Sequence, residues 1–409
     1  MPHGYGTLVE ELKDTLTRQR YNRVAVHNYC RNAGYFLTYL AAREIALEAV
    51  TPVDVTNYLR FAVRQFRKRH GRAPARYWIG IPRSGIHALL KLALKRWPSE
   101  PAATDAGERL CREVCERYQT WLREERGLAT ASVDALLWEA RNFCAWLVKH
   151  SNVSFADLTV RDLDIYMNTR ARGLTRKSLK DVAERLRSLL KHLHRTGRTV
   201  TDFSGHVIAP LLYAYEGIPS AISSDQISII LKAVRKDQSP MGLRDYAILQ
   251  LLATYGLRSG EISRLRLEDI DWRADTLHVR RSKTGDHSLL PLFEPVGEAL
   301  INYLGHGRPK TGVREIFVRT RAPYVAMVRI YSEVSRRIEA AGITLSGKRG
   351  PHIFRHARAV TLLRASVPRK VIGDVLGHRS TESTIPYLKL ATEDLRAIAL
   401  EIPGQEVRA

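Results

Sequence analysis

No apolar run in this 409-residue sequence approaches the roughly 20 residues that cross a bilayer, so membrane insertion by a helix is not the expected basis of its work. The N-terminus, Met1-Pro2-His3-Gly4-Tyr5, lacks the basic-then-apolar pattern of a secretory signal, and a cytoplasmic protein is expected. Cysteine is scarce: Cys30, Cys111, Cys115 and Cys144. Cys111 and Cys115 are spaced i, i+4 in a helical pattern, a spacing that could hold a metal. No histidine or further cysteine pair follows at a zinc-site distance, so plain thiols in a reducing compartment are expected, with no metal. No Gly-x-x-x-x-Gly-Lys-Ser/Thr loop occurs, which removes support for an ATP-driven mechanism. No carboxylate cluster suggests a two-metal nuclease, and no cofactor is expected. No internal repeat or low-complexity tract stands out.

Acidic residues are also in deficit. Forty-two Asp and Glu face 65 Lys and Arg, giving a net charge of +23 and a pI near 10.1. Such an excess favours a polyanionic partner, with nucleic acid the leading candidate, though ribosomal and membrane-surface proteins can be equally basic. Hydrophobic residues make up 44%, enough for real cores, and the length suits two or three domains.

Residues 1–100 carry apolar positions at roughly helical period, with Thr51-Pro52 as a helix start and Gly71 in a loop. The Pro- and Ala-rich stretch Pro98–Gly107 reads as a linker. Residues 108–203 are again helical, with hydroxyl caps expected at Thr159 and Thr175. Arg176, Lys177 and Lys180 open a long, nearly single-signed basic stretch, for which contact with a nucleic-acid backbone is expected. From about 218 to 400 the pattern is mixed. Helices are expected over Asp225–Val234 and Leu243–Tyr255, two strands over Thr276–Arg281 and Ser288–Leu292, and helices again beyond Tyr324. The expected class is mainly α and multidomain, with a small antiparallel sheet in the last domain.

Three segments of that last domain carry chemistry. Thr254-Tyr255-Gly256-Leu257-Arg258 puts a guanidinium just past a glycine helix stop, with Ser259 able to cap the next helix. His352-x-x-Arg355-His356 places His352 and Arg355 on one side of a helix, and an arginine fork can hold two phosphoryl oxygens. Gly377-His378 ends a helical pattern, and Tyr387 follows nine positions later, directly after Pro386. Lys283, preceded by Arg280 and Arg281, sits in the loop between the two expected strands.

In this order the segments resemble the tyrosine recombinase, or lambda-type integrase, family; the resemblance covers about 110 to 395. It implies an integrase or transposon-borne recombinase that breaks and rejoins double-stranded DNA without ATP or metal. Tyr387 would be the nucleophile of a 3′-phosphotyrosyl intermediate. Arg258, Arg355, His352 and His378 would act at the scissile phosphate, and Lys283 would protonate the leaving 5′ oxygen. Arg280 and Arg281 would contact DNA beside Lys283. The resemblance also implies a homotetramer on two DNA sites, with the 108–203 block clamping the duplex. A partner recombinase or accessory protein, and a nucleoid-associated location, are compatible with it. Two alternatives stay open: a type IB topoisomerase-like enzyme that relaxes DNA, and a DNA-binding regulator that keeps the fold without cutting. The role of residues 1–100 is open.

Overall fold

A computed structural model describes residues 5–75, 78–98, 103, 105–150, 154–212, 222–281, 287–345, 347 and 349–377. The chain divides into two compact units, one of residues 1–44, 66–96 and 217–409, the other of residues 45–65 and 97–216.

Four helices come first: α1 (Tyr5–Arg18), α2 (Arg23–Ala41), α3 (Pro52–His70) and α4 (Gly80–Leu94). Helix α3 starts at Pro52, as the sequence indicates, behind a reciprocal Thr51–Asp54 cap. Gly85 lets α4 sit close on α2, because a Cβ there would stand 2.7 Å from the carbonyl oxygen of Tyr29.

Four more helices follow: α5 (Ala106–Thr120), α6 (Thr130–His150), α7 (Val160–Ala171) and α8 (Arg176–Arg195). Thr159 and Thr175 cap α7 and α8 as expected, Thr159 in a full capping box with Asp162. Helix α8 turns Val182, Leu186, Leu189, Leu190 and Leu193 inward, leaving most of its cations outside. Cys111, Cys115 and Cys144 are buried free thiols. Among the described residues no cluster of His, Cys, Asp and Glu is placed to hold a metal, and no helix is long and apolar enough to cross a membrane.

The rest of the chain forms α9 (Ser224–Arg235), α10 (Pro240–Tyr255), α11 (Ser259–Ser263), a sheet of β1 (Ile270–Asp271), β2 (Thr276–Arg280) and β3 (His287–Pro291), then α12 (Glu294–Asn302), α13 (Tyr331–Ala340), α14 (His352–Arg364) and α15 (Arg369–Leu376). Helix α10 is the post of this part. Ala247, Ile248, Leu249, Leu251 and Leu252 are all fully buried, and α9, α12, α13 and α14 pack around them. Its interior Asp245 is held by Arg244, Arg336 and Arg337, so a buried carboxylate here is paired and hydrogen-bonded. The sheet is antiparallel in the order β1-β2-β3, with Leu277 facing Leu290 and Arg280 facing His287 across the hairpin. Alternation along β2 buries Leu277 and Val279 and leaves Arg280 outside. The two expected strands are present with β3 shifted by one residue. The two-residue β1 and helix α12 were not foreseen, the first because it is too short to show a period.

Candidate active site

The site is built where three buried or half-buried arginines meet the end of α15. Helix α10 stops at Gly256, whose φ of 64° is left-handed and whose N–H closes on Leu252. A side chain at Gly256 would be strained by that φ and would stand 3.0 Å from Leu376. The stop releases the chain into Arg258, which is itself the N-cap of α11. Ser259 is the first helical residue and not the cap anticipated for it. The cap is completed from the other direction: the Glu261 carboxylate accepts the Arg258 backbone N–H at 2.8 Å and its Nη1 at 2.8 Å.

Arg258 Nη2 donates to the carbonyl of Gly377 at 2.8 Å. Arg281 Nη2 donates to the carbonyl of Val375 at 2.8 Å. Arg355 Nη2 donates to the carbonyl between them, Leu376, and its Nη1 to Gly256 at 2.9 Å. Three guanidiniums from three separate segments thus take three successive carbonyls at the C-terminus of α15, the end that carries the negative pole of the helix. Gly377 ends that helix with φ 65°, and a Cβ there would lie 2.8 Å from Arg281 Nε. Only glycine fits both demands.

Glu261, 2% exposed, is the carboxylate bonded to both Arg258 and Arg281. Three guanidiniums thus lie within reach of one helix end, and an arginine fork is suited to the oxygens of a phosphodiester. Burial pulls the Arg281 pKa below its ordinary value; Glu261 opposes this and Arg258 adds to it. Arg258 keeps 19% of its side chain exposed, so the charge has an opening to solvent.

Of the expected site residues, Arg258 and Arg355 come together here. His352 is exposed at the start of α14, with its ring stacked near that of His356 at 6.3 Å. Lys283, His378 and Tyr387 lie outside the described residues. His378 directly follows Gly377, whose carbonyl Arg258 holds. Arg280 is partly exposed and bonded to Asp269 at 2.6 Å. Arg281 departs from the expectation of a DNA contact. It is 2% exposed, and its guanidinium faces Glu261, Ser288 and Val375, so it is a buried organiser and not a surface cation. Arg176 and Lys177 are exposed on α8 and Lys180 is half-buried; Lys177 pairs with Asp181 at 3.1 Å. Glu261 was the residue missed. Its one sequence signal was its place three residues after Arg258 on a short helix.

Glu261→Gln keeps the shape and removes the charge. It leaves Arg258 and Arg281 facing each other without their shared counter-ion. The expected loss is about 3 kcal/mol of stability, the scale for breaking a buried pair, read from urea unfolding. An unchanged midpoint would show that the carboxylate does not organise this corner.

Residues 220–394 match the model of the phage integrase family. Over 192 residues the chain is 64% identical to y4gC of Sinorhizobium fredii, assigned as an integrase/recombinase; the match spans 47% of this chain and all of that protein. A second protein of that organism, y4rA, bears the same assignment and is 30% identical over 393 residues, 95% of this chain and 92% of its own length. The tyrosine recombinase XerD of Proteus mirabilis is 29% identical over 70% of this chain and 91% of its own. Among solved structures, a lambda integrase tetramer bound to a Holliday junction superposes with a TM-score of 0.55 at 17% identity. It covers 77% of this chain and 88% of that one, a likeness of fold.

Proposed function

The chain is a tyrosine-type site-specific recombinase of the phage integrase family, and from that premise we propose that it breaks and rejoins duplex DNA through a 3′-phosphotyrosyl intermediate on Tyr387. The Tyr387 hydroxyl passes its proton to His352 and attacks the scissile phosphorus, forming a P–O bond to the tyrosine as the bond to the 5′ oxygen breaks. The leaving 5′ oxygen takes a proton from Lys283 and departs as a hydroxyl. Bond energy is kept in the phosphotyrosine, so the 5′ hydroxyl of a partner strand can attack it and rejoin without ATP.

Arg258 and Arg355 hold the non-bridging oxygens in this scheme, with His352 and His378 as hydrogen-bond donors or proton carriers. The observation that carries the reading is the gathering of three guanidiniums on the last carbonyls of α15. That contact ties both arginines to the segment that continues into His378 and, nine positions later, Tyr387. Within the chain, residues 108–203 would clamp the duplex and residues 218–400 would hold the chemistry. Lambda integrase, which shares the fold, is a tetramer on a Holliday junction, and a homotetramer on two DNA sites is the assembly we propose here.

The cleavage step should need no metal, because the proposed charge stabilisation comes from arginine and histidine. A nicked suicide duplex, whose short 5′ fragment diffuses away, should trap the chain covalently on DNA at the same rate with EDTA as with magnesium. A strict magnesium requirement for adduct formation would contradict the scheme.

A further inference from the structure

Two stretches that share little sequence show the same order of helices and matching spacings of buried residues, although no repeat is visible in the sequence read alone. Helices α1, α2 and α4 pack pairwise, and so do α5, α6 and α8. Buried positions fall in register. Leu12 and Leu16 of α1 stand where Val114 and Tyr118 stand in α5. Ala33, Phe36 and Leu40 of α2 match Ala140, Phe143 and Leu147 of α6. A short 3-10 turn follows each second helix, at Leu47–Ala49 and at Phe155–Asp157.

The third helix then opens on the same cap. The backbone N–H of Thr51 meets Asp54 at 2.9 Å and its hydroxyl at 2.6 Å; Thr159 meets Asp162 at 2.9 Å and 2.6 Å. Val55, Tyr58 and Leu59 are buried after it, as are Leu163, Tyr166 and Met167, although residues 45–65, and with them most of α3, fall in the compact unit of residues 97–216. On the fourth helix Ile86, Leu89 and Leu90 match Leu186, Leu189 and Leu190. Helical packing alone fixes neither the cap nor the register, so two copies of one unit are the simplest cause.

The register carries charge as well as burial. Lys91 and Lys95 take the places of Lys191 and Arg195, and His87 that of Arg187. On α4 the exposed residues Arg83, His87 and Lys91 recur every four positions on one face, and Lys95, exposed and left-handed just past the end of the helix, follows at the same sequence interval. Among the described residues Arg83, Lys91 and Lys95 have no carboxylate partner. On α8, by contrast, Arg195 pairs with Glu125 and Arg187 donates to the carbonyl of Val207. Residues 52–96 hold eleven Lys and Arg against Asp54 alone, a net +10 of the chain's +23. A face that merely keeps a protein soluble carries both signs interspersed; this one does not.

We propose that residues 5–97 are a second copy of the helical module at 106–206, and that the α4 stripe binds the phosphates of duplex DNA. The chain would then grip the duplex with two such modules ahead of its catalytic part. This rests on the reading that the 106–206 module binds DNA.

The test uses the full chain, a random-sequence duplex and a range of salt concentrations. One variant carries Arg83→Ala, Lys91→Ala and Lys95→Ala; a second carries Arg176→Ala, Lys177→Ala and Lys180→Ala. Alanine at the exposed helix positions keeps the helices, and an unchanged circular dichroism spectrum checks this for Lys95→Ala as well, at the left-handed position after α4. Each phosphate that is no longer neutralised should lower the log–log salt slope by about 0.9, so the α4 variant should lose about 2 to 3 from the slope. Its affinity at low salt should fall at least about tenfold, an estimate on the same counter-ion scale. If only the α8 variant changes, the α4 proposal is overturned, the clamping reading stands, and an acidic protein surface becomes the partner to seek for α4. If only the α4 variant changes, the stripe binds DNA and the role of the α8 residues falls. If neither changes, both are overturned.

Discussion

Lys283→Ala is expected to slow cleavage of ordinary DNA by about 10²- to 10⁴-fold, the range that a general acid contributes. Replacing the leaving 5′ oxygen by sulfur should bring the rate back, because a thiolate departs without a proton. Arg258→Ala should lose about 10²- to 10³-fold on either substrate, since its defect is lost stabilisation of phosphoryl charge and a better leaving group does not replace that. Lysine can carry this proton where its neighbours cannot: arginine scarcely deprotonates, and Arg281 is buried against Glu261. Lys283 follows Arg281 by two residues in the connection between β2 and β3, and Arg281 is pinned to the end of α15. Rates on oxygen and sulfur substrates, measured for both variants, decide the point. Equal rescue of both, or none for Lys283→Ala, would make this lysine only a DNA contact.

Much of the fold was legible in the sequence because its signals are local. Thr159, Thr175 and Gly256 announce helix ends by their own chemistry, and the structure uses each of them so. The alternation of β2 was equally readable. What could not be read depends on distance in the chain. Nothing near Arg281 distinguishes it from Arg280, yet one is buried against Glu261 and the other faces out with Asp269. The difference is the strand alternation continued one residue past β2, into a space closed by Gly377, 96 positions away in the sequence. Glu261 was hidden for the same reason, since one of its two arginines comes from the hairpin. The repeat of the helical module escaped because it lies in buried positions and one cap. Loops of different length break the residue pattern between them.

The largest single effect should come from Tyr387. Tyr387→Phe removes one hydroxyl, leaves every cation in place, and should bind DNA with unchanged affinity and salt dependence. It should lose strand cleavage completely, because the proposed mechanism forms the phosphotyrosine on this hydroxyl alone. The direct measurement is covalent capture on the nicked suicide duplex, followed by protease digestion and mass analysis of the DNA-linked peptide. The expected result is one adduct in the unsubstituted chain, joined through Tyr387, and none in Tyr387→Phe. An adduct that persists in Tyr387→Phe, or that maps to Tyr324 or Tyr331, would contradict the proposed mechanism at its centre.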